Sequence, residues 1–162
     1  MSNLRPALKQ LINKHDLMGI EIGVWRGSYA LIYLKELDIE KVFLIDPYED
    51  EEKKQMKHAH LQLKSYENKI EWIKVRSADV ANKFNDGSLD FVYIDGNHQY
   101  EFVLKDIILY YPKVKEGGLL SGHDYGKSRW PGVTKAVDEF CKKNSLKLNY
   151  GGGKKFDWWI WK

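Results

Sequence analysis

The stretch Leu89-Asp90-Phe91-Val92-Tyr93-Ile94-Asp95-Gly96-Asn97-His98 restricts the fold of this chain more than any other. Its apolar, β-branched and aromatic run reads as a buried strand whose last strong position is a carboxylate. A strand buried on both faces belongs to a parallel sheet. In such sheets ligands lie outside the carboxyl ends of the strands, where Asp95 and His98 stand. A second ending of the same kind, Gly118-Leu119-Leu120-Ser121-Gly122-His123-Asp124-Tyr125, follows one helix later. Two polar strand ends are thereby expected side by side.

The length of 162 residues fits one domain over 1–162, able to bury about 70% of its unfolded surface. With 43% hydrophobic and 30% charged residues the composition is that of an ordinary globular domain, and disordered or fibrous classes are not expected. The net charge of +3 gives no electrostatic ground for a nucleic-acid partner. Cys141 is the only cysteine, which excludes an internal disulfide framework and a thiolate zinc site; packing is its expected role. No apolar run approaches the roughly 18 residues of a membrane span, and no signal-peptide core stands at the start. A cytoplasmic protein without a membrane partner is expected.

Along the chain, Pro6 to Asp16 reads as an amphipathic helix with Leu8, Leu11 and Ile12 on one side. Met18 to Val24 is a short strand entering Gly23-Val24-Trp25-Arg26-Gly27-Ser28, and Ser28 to Leu37 reads as a helix. Strand, glycine loop and helix start form the layout that receives nucleotide-like ligands. The glycines are four apart, unlike the dinucleotide fingerprint, so the loop alone is a weak signal. Lys41 to Asp46 is the next strand and again ends in a carboxylate, about twenty residues on, where an acid can accept from ribose hydroxyls. Asp50 to Tyr66 reads as a charged helix with Met56, Leu61 and Leu63 at apolar positions, and His58 and His60 on a solvated face. Ile70 to Val75 is a third strand. Ser77 then either caps a helix beginning near Asp79 or, with Ala78 and Asp79, edges an aromatic base.

Asp86-Gly87 turns into the central strand. Tyr100 to Tyr111 reads as a helix with Val103, Leu104, Ile107 and Ile108 at core spacing. Gly117-Gly118 opens the fifth strand, Val133 to Lys143 is a further helix, and Lys147–Tyr150 and Phe156–Trp161 close the chain as an antiparallel hairpin across Gly151-Gly152-Gly153. The hairpin reading is preferred over a phosphate loop made by those glycines with Lys154 and Lys155. The expectation is an α/β, doubly wound, Rossmann-like sheet with strands 1–5 parallel and a closing antiparallel pair.

With these residues placed, the chain resembles the class I S-adenosylmethionine-dependent methyltransferases. More narrowly, it resembles a small bacterial and archaeal group whose signature stands here as Ile94-Asp95-Gly96-Asn97-His98-Gln99-Tyr100-Glu101, Asp106-Ile107, Pro112-Lys113-Val114-Lys115, Gly117-Gly118 and Gly122-His123-Asp124-Tyr125. The resemblance runs from about Leu17 to Trp161. It implies a seven-stranded sheet with strand 7 antiparallel. It also implies a cofactor cleft in which Glu21, Gly23, Trp25, Gly27 and Ser28 line the methionine and ribose end. Asp46 would hold the ribose hydroxyls, and Tyr48 would lie against the adenine. Ser77, Ala78 and Asp79 would edge the base, and Asp95 would border the methyl donor.

Methyl transfer from a sulfonium needs an unprotonated nucleophile close to the methyl group, so positioning matters most, with base help for a hydroxyl acceptor. His98, with an unperturbed pKa near 6.5, is the candidate base beside Asp95. Metal-dependent relatives draw ligands from the corresponding aspartate and from two residues ending the next strand. That places Asp95, His123 and Asp124 as a set for magnesium or manganese; the alternative is that His123 and Asp124 only cap the strand. Asp106 is expected to be structural, Trp25, Tyr125 and Trp130 to line the cleft, and Trp158, Trp159 and Trp161 to be core and edge. The acceptor expected is a small molecule or sugar hydroxyl. A nicotinamide-dependent oxidoreductase and a non-catalytic cofactor-binding module remain rivals. The chain is short for building an acceptor pocket, which leaves room for a second copy or other subunit to complete it.

Overall fold

A computed structural model describes residues 2–151 and 156–162. In chain order the elements are α1 (Pro6–Lys9), β1 (Leu17–Ile22), α2 (Ser28–Glu36), β2 (Ile39–Ile45), α3 (Lys53–Gln62), β3 (Ile70–Ile73), α4 (Ser77–Val80), β4 (Leu89–Ile94), α5 (Tyr100–Tyr110), β5 (Val114–Gly122), α6 (Pro131–Lys143), β6 (Asn149–Gly151) and β7 (Asp157–Trp161). Short 3₁₀ turns join several of them, at Asp50–Glu52, Lys64–Lys69, Ala81–Lys83 and Tyr111–Lys113. The seven strands form one sheet in the order β3-β2-β1-β4-β5-β7-β6. All pairs from β3 to β5 are parallel, and β7 runs antiparallel to both β5 and β6. The expected seven-stranded sheet with an antiparallel β7 is therefore present. Gly152, Gly153, Lys154 and Lys155, expected as the hairpin turn, lie outside the described residues.

The central strand β4 is buried at every position. Alternation sends Phe91 and Tyr93 to one face, against Leu8, Tyr29, Tyr33 and Leu119, and Val92 and Ile94 to the other, against Val103, Ile107, Val133 and Trp158. That is why the strand reads as a continuous apolar run. Gly19 on neighbouring β1 makes room for the Phe91 ring, since a Cβ there would lie 2.2 Å from it. Asp90 survives in this setting because Met18 N–H donates to it at 2.9 Å and Lys115 Nζ stands 2.5 Å away.

Register aligns the strand ends. Ile73, Ile45, Ile22, Ile94 and Gly122 are successive partners across five strands. The residue after each is held by one more ladder bond: Asp46 N–H to Ile73 O, Gly23 N–H to Ile45 O, Asp95 N–H to Ile22 O and His123 N–H to Ile94 O. Asp46, Gly23, Asp95 and His123 thus stand in one row along the carboxyl edge.

Several sequence expectations are corrected. α1 ends at Lys9 and turns follow; Leu8 and Leu11 are buried, but Ile12 points outward. The charged helix breaks into α3 flanked by 3₁₀ turns, with Leu61 exposed and Leu63 buried. His60 is stacked on Trp72 with ring centroids 3.9 Å apart rather than free on a solvated face. On α5, Val103 and Ile107 are core, whereas Ile108 is exposed. Trp158 is fully buried and Trp161 lies at the edge, as expected, and Cys141 packs in the core as a free thiol.

β7 brings in a buried carboxylate, Asp157. It accepts from Ala7 N–H at 3.1 Å and the Tyr93 hydroxyl at 2.8 Å, and His123 Nδ1 lies 2.8 Å away. Three elements distant in sequence are tied at one side chain. Asp157→Ala strands these buried groups, each worth about 1–3 kcal/mol when left unpaired. We expect it to lower the urea midpoint by an amount equivalent to at least about 3 kcal/mol, with an unchanged m-value.

Candidate active site

A cleft of about 790 Å³ opens over this carboxyl edge. That volume lies within the usual range for sites that take a small-molecule cofactor. Of the expected cofactor residues, Glu21, Gly23, Trp25, Ser28, Asp46, Ser77, Ala78, Asp79 and Asp95 line it, joined by His98. The strand order lays them out from Ser77–Asp79 after β3, past Asp46 after β2 and Gly23 after β1, to Asp95 after β4.

Gly27 and Tyr48 stand behind the wall instead. Gly27, at φ 75°, precedes α2 and packs on α3, where an added Cβ would lie 2.9 Å from Leu63. Tyr48 is buried among core residues at φ 43°, and its hydroxyl donates to Trp25 O at 2.8 Å. Pro47 takes its place in the wall. Such a backbone angle is costly for a bulky residue and persists only where surroundings fix it. Asp46 is the fixing group. It accepts from Val24 N–H and Trp25 N–H, each at 2.9 Å, and from Tyr48 N–H at 3.0 Å. A carboxylate has about four lone-pair sites, so about one remains for a ribose hydroxyl. Asp46 is first the brace of the loop.

Gly23, at φ 86°, is required by close approach: a Cβ there would lie 2.3 Å from Asp95 O. Ser77 is not a cap but the first residue of α4, and its hydroxyl donates to buried Asp106 at 2.5 Å. Asp106 therefore has the structural role expected, while also reaching the cleft. Burial raises its pKa to about 6, against the lowering effect of the Ser77 bond.

Glu21 is 2% exposed at the cleft floor. Burial pushes its pKa up to about 8, although the Tyr33 hydroxyl donates to Oε2 at 2.8 Å and pulls the other way. Burial thus favours its protonated, uncharged form.

At the far end, Asp95, His98 and Asp124 offer ligand atoms within 4.8 Å of one another. His98 Nε2 is 2.6 Å from Asp124 Oδ2 and 3.7 Å from Asp95 Oδ1. Its ring stacks on Trp130, with centroids 4.4 Å apart and planes at 19°. Asp124 has φ 65° and is gripped by Lys127. Burial works against the Asp124 charge, but the bonds from His98 and Lys127 outweigh it and hold the carboxyl well below its ordinary range. The same contacts, Asp124 first and then Asp95, raise His98 to about 9. These contacts favour the protonated imidazole and so work against His98 as a ready base near neutral pH. His123 is engaged elsewhere, with Nδ1 on Asp157, so the donor cluster draws its imidazole from the β4 loop rather than from β5. Trp25 and Trp130 border the region as expected, whereas Tyr125 binds Asp138 on α6.

Sequence reasoning missed Arg5. It enters the cleft from the segment before α1, donating to Asp95 Oδ2 and to the Tyr93 hydroxyl, each at 2.9 Å. Its guanidinium lies 4.2 Å over the Tyr29 ring. No local pattern announces a partner 90 positions away. Asp157 was also missed, although a carboxylate on the inner face of an aromatic strand is itself a signal.

A family model described as a methyltransferase domain matches residues 20–125. The uncharacterized protein R132 of Acanthamoeba polyphaga mimivirus is 30% identical over 139 residues, covering 82% of this chain. The chain spans 62% of that protein's length. Among solved structures, Thermotoga maritima spermidine synthase superposes with a TM-score of 0.70 at 16% identity, over 98% of this chain and 57% of that one. A Staphylococcus aureus protein provisionally assigned as a caffeoyl-CoA O-methyltransferase gives 0.73 at 21%, over 96% and 81%. At such identities these two likenesses concern the fold.

The Glu21 shift has a sign that can be measured. Below about pH 4.3 both folded and unfolded chains hold this proton. As pH rises towards about 8 the unfolded chain loses it first, so the native state loses stability relative to Glu21→Gln. Above that the difference is constant. Urea midpoints for the two proteins should diverge steadily across this window; a pH-independent difference would sink the assignment.

Proposed function

The chain belongs to the methyltransferase-domain family, class I and S-adenosylmethionine-dependent, and from that premise we propose that it methylates a hydroxyl of a small molecule or sugar with help from a divalent cation. The observation that carries this reading is the cluster of Asp95, His98 and Asp124 at one end of the cleft that the cofactor residues line. When bound, S-adenosylmethionine supplies an electrophilic methyl group on a positively charged sulfur.

The residues fit that cofactor. Ser77 to Asp79 border the end for the base, Asp46 keeps an oxygen site for ribose, and Gly23 has no Cβ where the β1 and β4 loops meet. Glu21 and Asp95 border the amino-acid end. The donor cluster fits a cation of intermediate hardness, with two carboxylates and one imidazole suiting manganese as well as magnesium. A cation held there lowers the pKa of a coordinated hydroxyl. Asp124, already ionised, would hold it directly, and His98 would do so through Nε2 once deprotonated. The Trp130 stack fixes the imidazole plane, and Lys127 fixes the Asp124 carboxylate.

The nicotinamide alternative lapses with the family membership. A non-catalytic binding module would share the cleft and differ only in lacking turnover. Saturating S-adenosylhomocysteine, at a hundred times its dissociation constant, should add about 2.7 kcal/mol. That is a rise of roughly 5–10 °C in melting temperature, and NAD should give none. Manganese binding, followed by electron paramagnetic resonance, should be lost in Asp124→Ala and His98→Ala but kept in His123→Gln. Loss in His123→Gln with retention in His98→Ala would return the metal to the β5 pair. No binding at all would remove the metal and leave methyl transfer standing.

A further inference from the structure

The segment before α1 is built to deliver one cation. The Ser2 hydroxyl and Asn3 N–H both bind Glu36 at the end of α2, at 2.5 and 2.8 Å, and Leu4 is buried. Pro6 follows Arg5 and keeps that residue extended, at φ −68° and ψ 154°. The side chain then passes over Tyr29 and ends between the Tyr93 hydroxyl and Asp95. The guanidinium is permanently charged, and only 22% of the side chain is exposed. Water screens such a charge poorly.

We propose that Arg5 sets the charge selectivity of the cleft, offsetting Asp95 so that a ligand with a positive sulfonium is not held much more tightly than the neutral thioether left after methyl transfer. The inference rests on the cofactor reading above. With the base at Ser77–Asp79 and the ribose at Asp46, the strand order carries the sulfur to the β1–β4 junction, where Glu21, Asp95 and Arg5 meet. Burial favours the protonated form of Glu21 there, so Asp95 and Arg5 are the principal opposed charges of that junction. His98, Asp124 and Lys127 stand beyond it, with His98 Nε2 also 3.7 Å from Asp95. Asp95 alone would attract a sulfonium and thereby favour the reactant over the reaction it must enter. Interactions that hold the ground state without holding the transition state add nothing to the chemical step. A cation 2.9 Å from Asp95 removes most of that bias. When the methyl leaves, the S–C bonding pair stays on sulfur and the charge there disappears, so Arg5 is also relieved of a like charge.

The test is a ratio. Dissociation constants for S-adenosylmethionine and S-adenosylhomocysteine would be measured on the full chain by calorimetry at neutral pH, with chelator present to keep metal off Asp95. Removing one unit charge at this range from the sulfur should move the relative affinity about tenfold. Arg5→Gln should therefore shift the ratio about tenfold towards the sulfonium ligand, while Arg5→Lys stays close to the native ratio. Asp95→Asn, which leaves Arg5 unopposed, should move it the other way and serves if Arg5→Gln does not fold. An Arg5 that merely held the ligands' shared carboxylate, or only propped the fold, would weaken both alike. An unchanged ratio in Arg5→Gln, or a shift towards the thioether, overturns the proposal. If the native chain binds neither ligand, the cofactor reading itself has failed and the inference goes with it.

Discussion

Everything functional in this molecule depends on the ladder bonds that extend one residue beyond each strand. The pairing of Ile73, Ile45, Ile22, Ile94 and Gly122 puts the strand ends level, and the next amide of each strand is captured by its neighbour's carbonyl. Asp46, Gly23, Asp95 and His123 are consequently spaced by the interstrand distance, about 4.8 Å. A slip of one residue in a parallel strand would invert its faces, putting Val92 and Ile94 where Phe91 and Tyr93 belong. Phe91 forbids that slip, because its ring fills the space that Gly19 leaves open. Core packing and site geometry are thus one constraint.

On this row the charges are arranged in opposed sets. Asp95 faces Arg5, and Asp124 faces both His98 and Lys127. Asp46 is held by three backbone amides, and burial of Glu21 favours its protonated form. Buried or half-buried carboxylates tolerate desolvation only with such compensation. The two strained residues that face the cleft region, Trp25 at φ 52° and Asp124 at φ 65°, are each pinned by it: Trp25 by Asp46, Asp124 by His98 and Lys127. Strain sits where a polar partner holds it.

What the sequence disclosed follows from what is local. A run such as Leu89 to Ile94 has one solution, and a carboxylate at its end lies at the sheet edge whatever the neighbours do. The same holds for Asp46 and for the glycine loop after Ile22. Side-chain direction is less local. His98 and His123 look equivalent as residues after strands, yet His123 continues the alternation of Leu119 and Ser121 towards the face of Tyr93 and is taken by Asp157. Tyr48 follows a proline into an inward-turned backbone that no propensity announces. Ile12, Leu61 and Ile108 fit an apolar period and still face outward, because pattern gives a stripe but not its width. Arg5 lay beyond reach, since its meaning depends on contacts 88 and 90 positions away.

The residues that brace the site also lie outside the stretch that identifies it. The family match runs over residues 20–125, whereas Arg5 precedes it and Asp157 follows it. Yet Asp157 holds Ala7, Tyr93 and His123 together, and Tyr93 in turn shares Arg5 with Asp95. The two ends of the chain therefore meet beneath the strand ends that carry the chemistry. A matched segment alone would expose Tyr93, leave His123 without Asp157 and leave Asp95 with only the more distant His98. The family pattern specifies a cleft and its polar row; what makes that row electrically tolerable in this protein is supplied by the few residues at either end.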